Sequence, residues 1–329
     1  MLDVSQQIDR PSAALAGPGM AAAVRRTFLA TRPPFFIASI MPVLIGSAWA
    51  GATYHLFNGL LFGLALAATV LAHAAANVYN DVGDDVIGAD VDNTDRIYPY
   101  TGGSRFIQTG LLSRRQMTRL AVGLAAAALT LGTLLAVLRG PGVVLLGCVG
   151  LGLGLLYSLP GAQLSARGIG EAAVALSFGA LPVLGTVWLL TGRIDVGVVL
   201  ICIPVSAWAA AILIINEVPD IEPDRRAHKR TLAVRWGAPG ARWIYWGLTV
   251  IALAASGAAI MLHALPLWYG AAALAVAGLG LWAACRISIE RSARPRLKQG
   301  IQLTLAIHAL GCVALILAVL SDWSSSLGR

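Results

Sequence analysis

Carboxylates gather in two short stretches of this sequence. Of its 16 Asp and Glu residues, ten lie within residues 81–95 and 217–224. Each stretch contains acids three or four residues apart, a separation that places side chains on one side of a helix. These are Asp81 with Asp84 or Asp85, and Asp220 with Asp224. Mg²⁺ is usually held by one or two carboxylates together with water and substrate phosphates, so two such pairs facing each other predict a magnesium site that a diphosphate completes.

Basic and amide side chains are interleaved with these carboxylates. The basic residues are Arg105, Arg225, Arg226, Lys229 and Arg230, and the amides are Asn77 and Asn80. Charged hydrogen bonds from Arg and Lys suit the oxygens of a phosphate, and amides beside carboxylates are suited to orient it. A simpler interpretation stays open, because charged loops at a membrane surface are often only solvated and Asn77 alone is equally well explained as a capping or packing residue.

The composition indicates which elements carry these groups. The chain has 329 residues, 57% of them apolar and 12% charged, with a mean hydropathy of +0.75. A soluble domain has about 25% charged residues, so a single water-soluble domain is excluded. At about 20 residues per spanning helix the chain has room for about nine spans, which predicts an all-α, polytopic membrane protein. The predicted spans lie near residues 34–50, 57–80, 118–138, 142–159, 169–191, 196–217, 241–262, 267–285 and 301–320.

The net charge of +8 is explained by membrane topology and not by nucleic-acid binding. Most basic residues lie in short loops, and no Lys/Arg stripe alternates with exposed aromatics. With the N-terminus inside, only Arg139, Arg193 and Arg329 of the 24 Lys and Arg residues lie outside, as the positive-inside rule expects. The two acidic stretches follow the second and sixth predicted spans, so both emerge on the inner face and can meet across one cavity.

This topology divides the chain into three parts. A mobile cytosolic tail is expected over residues 1–24, a nine-helix membrane domain over 25–321, and a short outer tail over 322–329. The expected location is the inner membrane of a bacterium, with the loops that carry the acids on the cytosolic side.

The motifs themselves resemble those of the UbiA superfamily of intramembrane aromatic prenyltransferases. Residues 77–85, Asn-Val-Tyr-Asn-Asp-Val-Gly-Asp-Asp, match the first family motif, which continues to Gly88 and Asp90. Residues 216–233, which end in Lys-Arg-Thr-Leu-Ala, match the second. The likeness extends over roughly residues 32 to 320. Together with the Arg-Gly-Ile-Gly-Glu stretch at 167–171, these residues look most like the menaquinone branch, the 1,4-dihydroxy-2-naphthoate polyprenyltransferases.

The resemblance implies a UbiA-type bundle of helices around a central cavity. It also implies Mg²⁺-dependent transfer of a polyprenyl group from an allylic diphosphate to an aromatic acceptor, which in this branch is 1,4-dihydroxy-2-naphthoate. Another acceptor, such as 4-hydroxybenzoate, stays open. The expected partners are therefore the polyprenyl diphosphate, the aromatic acceptor and the lipid bilayer, with Mg²⁺ as the cofactor.

The resemblance further implies roles for individual residues. The metal ligands are expected among Asp81, Asp84, Asp85, Asp220 and Asp224, with the choice between Asp84 and Asp85 open. Contacts to substrate are expected from Arg32, Arg105, Arg167, Glu171, Lys229, Arg230, Asn77 and Asn80. Tyr157 is expected either to steady a carbocation through its ring face, an attraction of about 2 kcal/mol when desolvated, or to lie in an interfacial aromatic belt. Glu171 is expected to orient Arg167 or the acceptor hydroxyl, or to form a purely structural pair with Arg167.

Two other classes of protein are weighed against this interpretation. A secondary transporter would carry ionisable residues or broken helices near the middle of the membrane, whereas the acids here gather at one interface. A noncatalytic quinone-binding or assembly protein would not need two intact carboxylate pairs. Mg²⁺-dependent release of pyrophosphate separates all three possibilities.

Overall fold

The computed structural model describes Leu15 and residues 17–88, 96–159 and 161–326. These residues form α-helices joined by turns, with no strand among them. The helices are α1 Met20–Ala30, α2 Ile37–Tyr54, α3 Gly59–Ile87, α4 Arg114–Arg139, α5 Gly142–Ser158, α6 Gly170–Thr191, α7 Val196–Asn216, α8 Ile221–Arg226, α9 Leu232–Met261, α10 Tyr269–Ala284 and α11 Arg294–Ser326. The predicted boundary of the N-terminal tail at residue 24 stays a prediction, and α1 begins before it.

Seven of these helices are long and apolar enough to cross a bilayer, namely α2, α3, α4, α6, α7, α9 and α11. The other two predicted spans correspond to α5 and α10, which have 17 and 16 residues. At 1.5 Å per residue each is roughly 25 Å long, somewhat less than a hydrocarbon core of about 30 Å. The chain is an all-α integral membrane protein, and nine crossings stay a prediction.

The two inner loops are more helical than predicted. Helix α3 continues seven residues beyond the predicted end of its span at residue 80 and ends at Ile87, before Gly88 with φ +76°. Helix α9 begins at Leu232, nine residues before the predicted span, and bends at Gly237, where φ is +66°. Hydrophobicity indicates where a chain leaves the membrane, whereas a helix continues as long as its backbone hydrogen bonds can form.

Packing divides the bundle into two sides. On the core side, α7 has 72% of its apolar window buried and packs against α6, α9 and α11. Together with α2 and α10 these helices form the main hydrophobic core, around residues such as Val205, Ile214 and Ile301. On the cavity side, α3 and α4 have only 28% and 17% of their windows buried. These two helices pack against each other and against α5.

Two glycines bring α6 close to its neighbours. Gly179 lies in a π-turn at Leu176–Ala180, and an added Cβ there would be 2.3 Å from the Cα of Ser206 on α7. An added Cβ at Gly46 on α2 would be 2.6 Å from the carbonyl oxygen of Val183 on α6. Because any side chain at either position would push the helices apart, these two contacts fix how closely α6 packs against α7 and α2.

Candidate active site

A cavity of about 550 Å³ lies between the two sides of the bundle. Most of its wall is apolar and comes from α3 to α6, where residues such as Ala65, Leu129 and Gly147 line it. One end is polar. The charged residues that line this end are Arg32, Asp84, Glu217, Asp220, Asp224 and Lys229. The cavity can therefore accept a long apolar group whose head is strongly anionic.

The first acidic motif lies on the last turns of α3. Asp81 and Asp84 are buried on one face of the helix, which agrees with their spacing of three residues. Asp81 accepts hydrogen bonds from the Arg32 guanidinium and from the backbone N–H of Ser104, at 3.0 Å for the latter. Asp84 lines the cavity.

Asp85 faces away from this site. Its carboxylate accepts a hydrogen bond from Nε2 of Gln108 at 3.3 Å and pairs with Nε of Arg114 at 2.5 Å. The Arg114 side chain is 57% exposed, so this is a surface ion pair. Of the two adjacent aspartates, the structure therefore places Asp84 at the cavity and Asp85 outside its lining.

The second acidic motif lies where the chain turns between α7 and α9. Asp220 is the N-cap residue of the short helix α8, and its Oδ2 accepts the backbone N–H of Gly102 at 3.1 Å. Asp224 is buried on α8. The chain then turns back at His228, whose φ is +58°, and the backbone N–H of Lys229 donates to the Asp224 carbonyl at 2.9 Å.

Lys229 joins the two motifs. Its Nζ lies 2.6 Å from Oδ1 of Asp84 on α3 and 3.2 Å from Oδ1 of Asp224 on α8. Burial raises the pKa of the Asp224 carboxyl above its ordinary value; the Lys229 ammonium opposes this shift, and the Asp220 and Asp84 carboxylates add to it. A buried cation between two carboxylates is what makes their close approach tolerable.

These oxygen ligands fit a hard divalent cation such as Mg²⁺. As arranged, the described residues contain no group of three His, Cys, Asp or Glu side chains at metal-binding separation. The carboxylates are instead paired with cationic side chains. Lys229 lies between Asp84 and Asp224, and Arg32 pairs with Asp81. The ammonium lies where positive charge is required, which is consistent with a site built for a cation.

The predicted amides and Tyr157 also line the cavity. Nδ2 of Asn77 donates to the carbonyl of Thr31 at 3.0 Å, and Nδ2 of Asn80 approaches Oγ of Ser158 at 3.5 Å. Tyr157 lies in the last turn of α5. Its ring is therefore available to a group bound in the cavity, as the first of its two predicted roles requires.

Arg105, Arg167, Arg230 and Glu171 do not line the cavity. The exposed Arg167 donates to the Gly161 carbonyl, and Arg230 is exposed while its backbone N–H donates to the Ala166 carbonyl at 2.7 Å. Glu171 accepts the N–H of Leu232 at 3.0 Å, so the predicted Arg167–Glu171 pair is not formed. Substrate contacts by these four residues stay predictions, and Asp90 of the first motif lies outside the described residues.

The cavity wall also includes Glu217, His73 and Phe178, which the sequence did not assign to the site. Glu217 belongs to the second acidic stretch, but its position in the sequence did not distinguish a site residue from a solvated residue at a helix end. His73 and Phe178 lie on different helices with their ring centroids 4.3 Å apart, and Nδ1 of His73 hydrogen-bonds Oγ of Ser39 at 2.7 Å. No sequence pattern could reveal this contact, because it depends on how α3 packs beside α6.

Comparisons with known proteins identify the class of this helical membrane protein as a prenyltransferase. The profile of the UbiA prenyltransferase family matches residues 39–310. The chain belongs to this family. It is 33% identical over 222 residues to the 1,4-dihydroxy-2-naphthoate octaprenyltransferase of Mycobacterium tuberculosis, covering 67% of this chain and 73% of that one. To the enzyme of the same name from Bacillus subtilis it is 28% identical over 211 residues, covering 64% and 66% of the two chains.

Solved structures show the same fold. A UbiA homolog from Aeropyrum pernix K1 superposes with a TM-score of 0.65 at 20% identity, over 86% of this chain and 97% of that one. A UbiA homolog from Archaeoglobus fulgidus bound to GPP and Mg²⁺ gives a TM-score of 0.59 at 16% identity, over 88% and 99%. The all-α fold predicted from the sequence is therefore confirmed.

Proposed function

We propose that this protein transfers a polyprenyl group from an allylic diphosphate to 1,4-dihydroxy-2-naphthoate, with Mg²⁺ as cofactor. The observation that carries the proposal is the Lys229 bridge between Asp84 and Asp224 at the polar end of an otherwise apolar cavity. A cavity of this kind suits a substrate with an anionic head and a long apolar tail, which describes a polyprenyl diphosphate.

The carboxylates and cations of the polar end act on the diphosphate. Asp81, Asp84, Asp220 and Asp224 would hold Mg²⁺, which when bound neutralises the charge that builds on a leaving diphosphate. Lys229 and Arg32 are positioned to hydrogen-bond phosphate oxygens once they exchange their present carboxylate partners for substrate. Preorganised positive charge of this kind favours the state in which the carbon–oxygen bond is breaking.

The apolar wall acts on the other half of the substrate. The allylic group that remains after pyrophosphate leaves is a delocalised carbocation, and the wall excludes the water that would quench it. The ring face of Tyr157, which lines the cavity, can stabilise that charge. The new carbon–carbon bond then forms to the electron-rich ring of the acceptor.

The choice of acceptor is supported by the relatives. The proteins from M. tuberculosis and B. subtilis are both named 1,4-dihydroxy-2-naphthoate octaprenyltransferase. The A. fulgidus homolog of the same fold was solved with GPP and Mg²⁺, which supports the donor and the cofactor.

The proposal includes a location and an orientation. The bacterial relatives support the inner membrane of a bacterium. The distribution of Lys and Arg supports a cytosolic N-terminus, which puts the polar end of the cavity on the cytosolic side, where soluble precursors are available.

The acceptor is tested by following its carboxyl carbon. A naphthoate prenylated at the ring carbon that bears the carboxylate loses carbon dioxide, whereas hydroxybenzoate is prenylated beside its hydroxyl and keeps its carboxylate. Membranes containing the protein, Mg²⁺ and farnesyl diphosphate are given each acceptor with a labelled carboxyl group. The proposal predicts equal amounts of labelled carbon dioxide and pyrophosphate from the naphthoate. Prenylated product that retains the label, or no product from the naphthoate, would contradict it.

A further inference from the structure

Glu217 and Glu171 form a buried carboxyl pair beside the cavity. Glu217 directly follows the last residue of α7, and Glu171 lies in the first turn of α6. The relative exposures of the two residues are 8% and 5%. The helices that carry them pack against each other, and the two carboxyl groups are close enough to interact electrostatically.

The pair is anchored but not fully satisfied. Oε1 of Glu171 accepts the N–H of Leu232 at 3.0 Å, which ties the pair to the start of α9. Oε2 of Glu171 and Oε2 of Glu217 are both shielded from solvent, and neither receives a donated hydrogen bond from the described residues. Burying an acceptor without a donor is unfavourable. The pair therefore has unused capacity to accept a hydrogen bond.

A hydrogen-bond donor can reach the pair from the cavity. Glu217 lines it together with Tyr157 and Asn216. The Tyr157 ring packs beside the start of α6, because a Cβ added at Gly170 would be 3.5 Å from its Cε2. The carboxyl pair thus lies next to a flat aromatic surface, an arrangement that suits an aromatic ring carrying a hydroxyl.

Charge separates this part of the cavity from the diphosphate end. The cations that line the cavity, Arg32 and Lys229, are ion-paired with aspartates of the two motifs. Glu217 forms no ion pair among the described residues. A diphosphate is attracted to the cations and repelled by the glutamate pair. A neutral hydroxyl is accepted by the pair, and positive charge that spreads onto the ring and its hydroxyl during bond formation is stabilised by a nearby carboxylate.

We propose that Glu217, held in place by Glu171, accepts a hydrogen bond from a hydroxyl of the aromatic acceptor. Glu217 makes the contact, and Glu171 is a positioning residue. The inference rests on the proposed function and extends it, since it names the side chain that recognises the acceptor.

The first test compares two ligands on the protein in nanodiscs. Affinities are measured for 1,4-dihydroxy-2-naphthoate and for 2-naphthoate, which lacks both hydroxyls. The wild-type protein should prefer the hydroxylated acid by about 10- to 100-fold, the range for one hydrogen bond to a charged group. Glu217→Met should lose most of that preference, and Glu217→Gln should keep part of it because an amide oxygen still accepts. An unchanged preference in both variants overturns the proposal; if Glu217→Met does not fold, Glu217→Gln decides alone.

The second test separates contact from positioning by kinetics. Glu217→Gln should raise the KM for the acceptor several-fold and leave the KM for farnesyl diphosphate unchanged. Glu171→Ala should act in the same direction, and Glu171→Gln, which keeps an oxygen for the Leu232 N–H, should restore most of the loss. The matched control is Glu222→Gln, because Glu222 is exposed and, within the part of the chain that the structure describes, pairs with Arg225 on the same helix.

The outcomes distinguish this inference from the proposed function. If the wild-type protein prenylates the acceptor and the KM for the acceptor is unchanged in both glutamate variants, the pair is structural and this inference is wrong while the proposed function stands. If the wild-type protein forms no prenylated aromatic product, the proposed function fails and the inference fails with it.

Discussion

The two acidic motifs build one site in different ways. The first belongs to a continuous helix, because α3 runs unbroken from Gly59 to Ile87 and presents its aspartates on one face. The second belongs to a break in the chain, where α7 ends, Asp220 caps the short α8, and Lys229 returns to the site through the turn at His228. A long helix sets the position of carboxylates rigidly, whereas a turn can also deliver a backbone contact and a counter-charge.

The two motifs therefore contribute different groups to the site. The helical motif supplies Asp84, and the turn motif supplies both the opposing carboxylate and the ammonium that joins them. Variants of the first motif should therefore remove single ligands, while variants of the second should also change how the two motifs are held together.

The largest effect is expected from the facing carboxylates. Asp84→Asn and Asp224→Asn should each lower the rate of prenyl transfer by about 100- to 1,000-fold, the usual loss when a group that stabilises transition-state charge is removed. Mg²⁺-dependent release of pyrophosphate by protein in nanodiscs measures this loss. Asp85→Asn is the matched control from the same motif and should keep a rate near that of the wild type, since Asp85 pairs with exposed Arg114. Equal losses at Asp84 and Asp85 would show that the wrong aspartate faces the cavity.

Lys229 should have a large effect on both rate and stability. Lys229→Gln leaves Asp84 and Asp224 close together without a cation, which for a buried pair costs about 3 kcal/mol or more. Thermal unfolding in one detergent should therefore occur at a lower temperature, and Mg²⁺ should raise the unfolding temperature of this variant more than that of the wild type. Exposed Arg230→Gln is the control for the unfolding temperature. If Lys229→Gln unfolds at the same temperature as the wild type and Mg²⁺ does not raise that temperature further, Lys229 does not hold the two motifs together.

Sidedness tests whether the two motifs share one face of the membrane. Single cysteines replacing Arg115, which follows the first motif, and His228, in the second, should both react only with a reagent applied from the cytosolic side. A cysteine replacing Arg193 should react only from outside. All three native residues are exposed. The four native cysteines must be replaced first, since Cys148 and Cys285 are also exposed. Reaction of the first two positions from opposite sides would rule out a common cavity.

The smallest effect concerns the end of the helical motif. Gly88 has φ +76° with open space around it, so Gly88→Ala should cost about 1 kcal/mol of stability through backbone strain alone. Activity should change little, because Asp84 lies a full turn earlier. Gly63→Ala in the exposed interior of the same helix should instead be neutral or slightly stabilising. Thermal unfolding of the three proteins side by side measures the difference, and equal shifts for both variants would argue that α3 does not end at Gly88.

The sequence predicts the first motif better than the second for a physical reason. Helical periodicity alone places Asp81 and Asp84 on one face, and hydrophobicity locates the spans. The Lys229 bridge depends on a left-handed residue at His228 and on a backbone hydrogen bond between Lys229 and Asp224. Neither has a periodic signature, so the sequence could place Lys229 near a phosphate but not between two carboxylates.

Tertiary packing accounts for the remaining differences. The spacing of Arg167 and Glu171 is compatible with an ion pair at a helix end. In the structure, Glu171 instead accepts a hydrogen bond from the Leu232 N–H, and Arg167 donates one to the Gly161 carbonyl. Glu217 and Glu171 are brought together by the packing of α6 against α7, which is close at Gly179. Contacts between residues far apart in the chain are set by such packing and cannot be found from spacing.

Both motifs are expected to bind cations as one coupled site. Mn²⁺, which prefers the same oxygen ligands as Mg²⁺, can be titrated by electron paramagnetic resonance in the presence of a farnesyl thiodiphosphate that does not react. Asp84→Asn and Asp224→Asn should each weaken Mn²⁺ binding strongly, and the double variant should lose much less than the sum of the two changes in binding free energy, because each single change already disrupts the shared site. Losses that add fully would mean that the motifs bind cations independently, which would contradict a single coupled site.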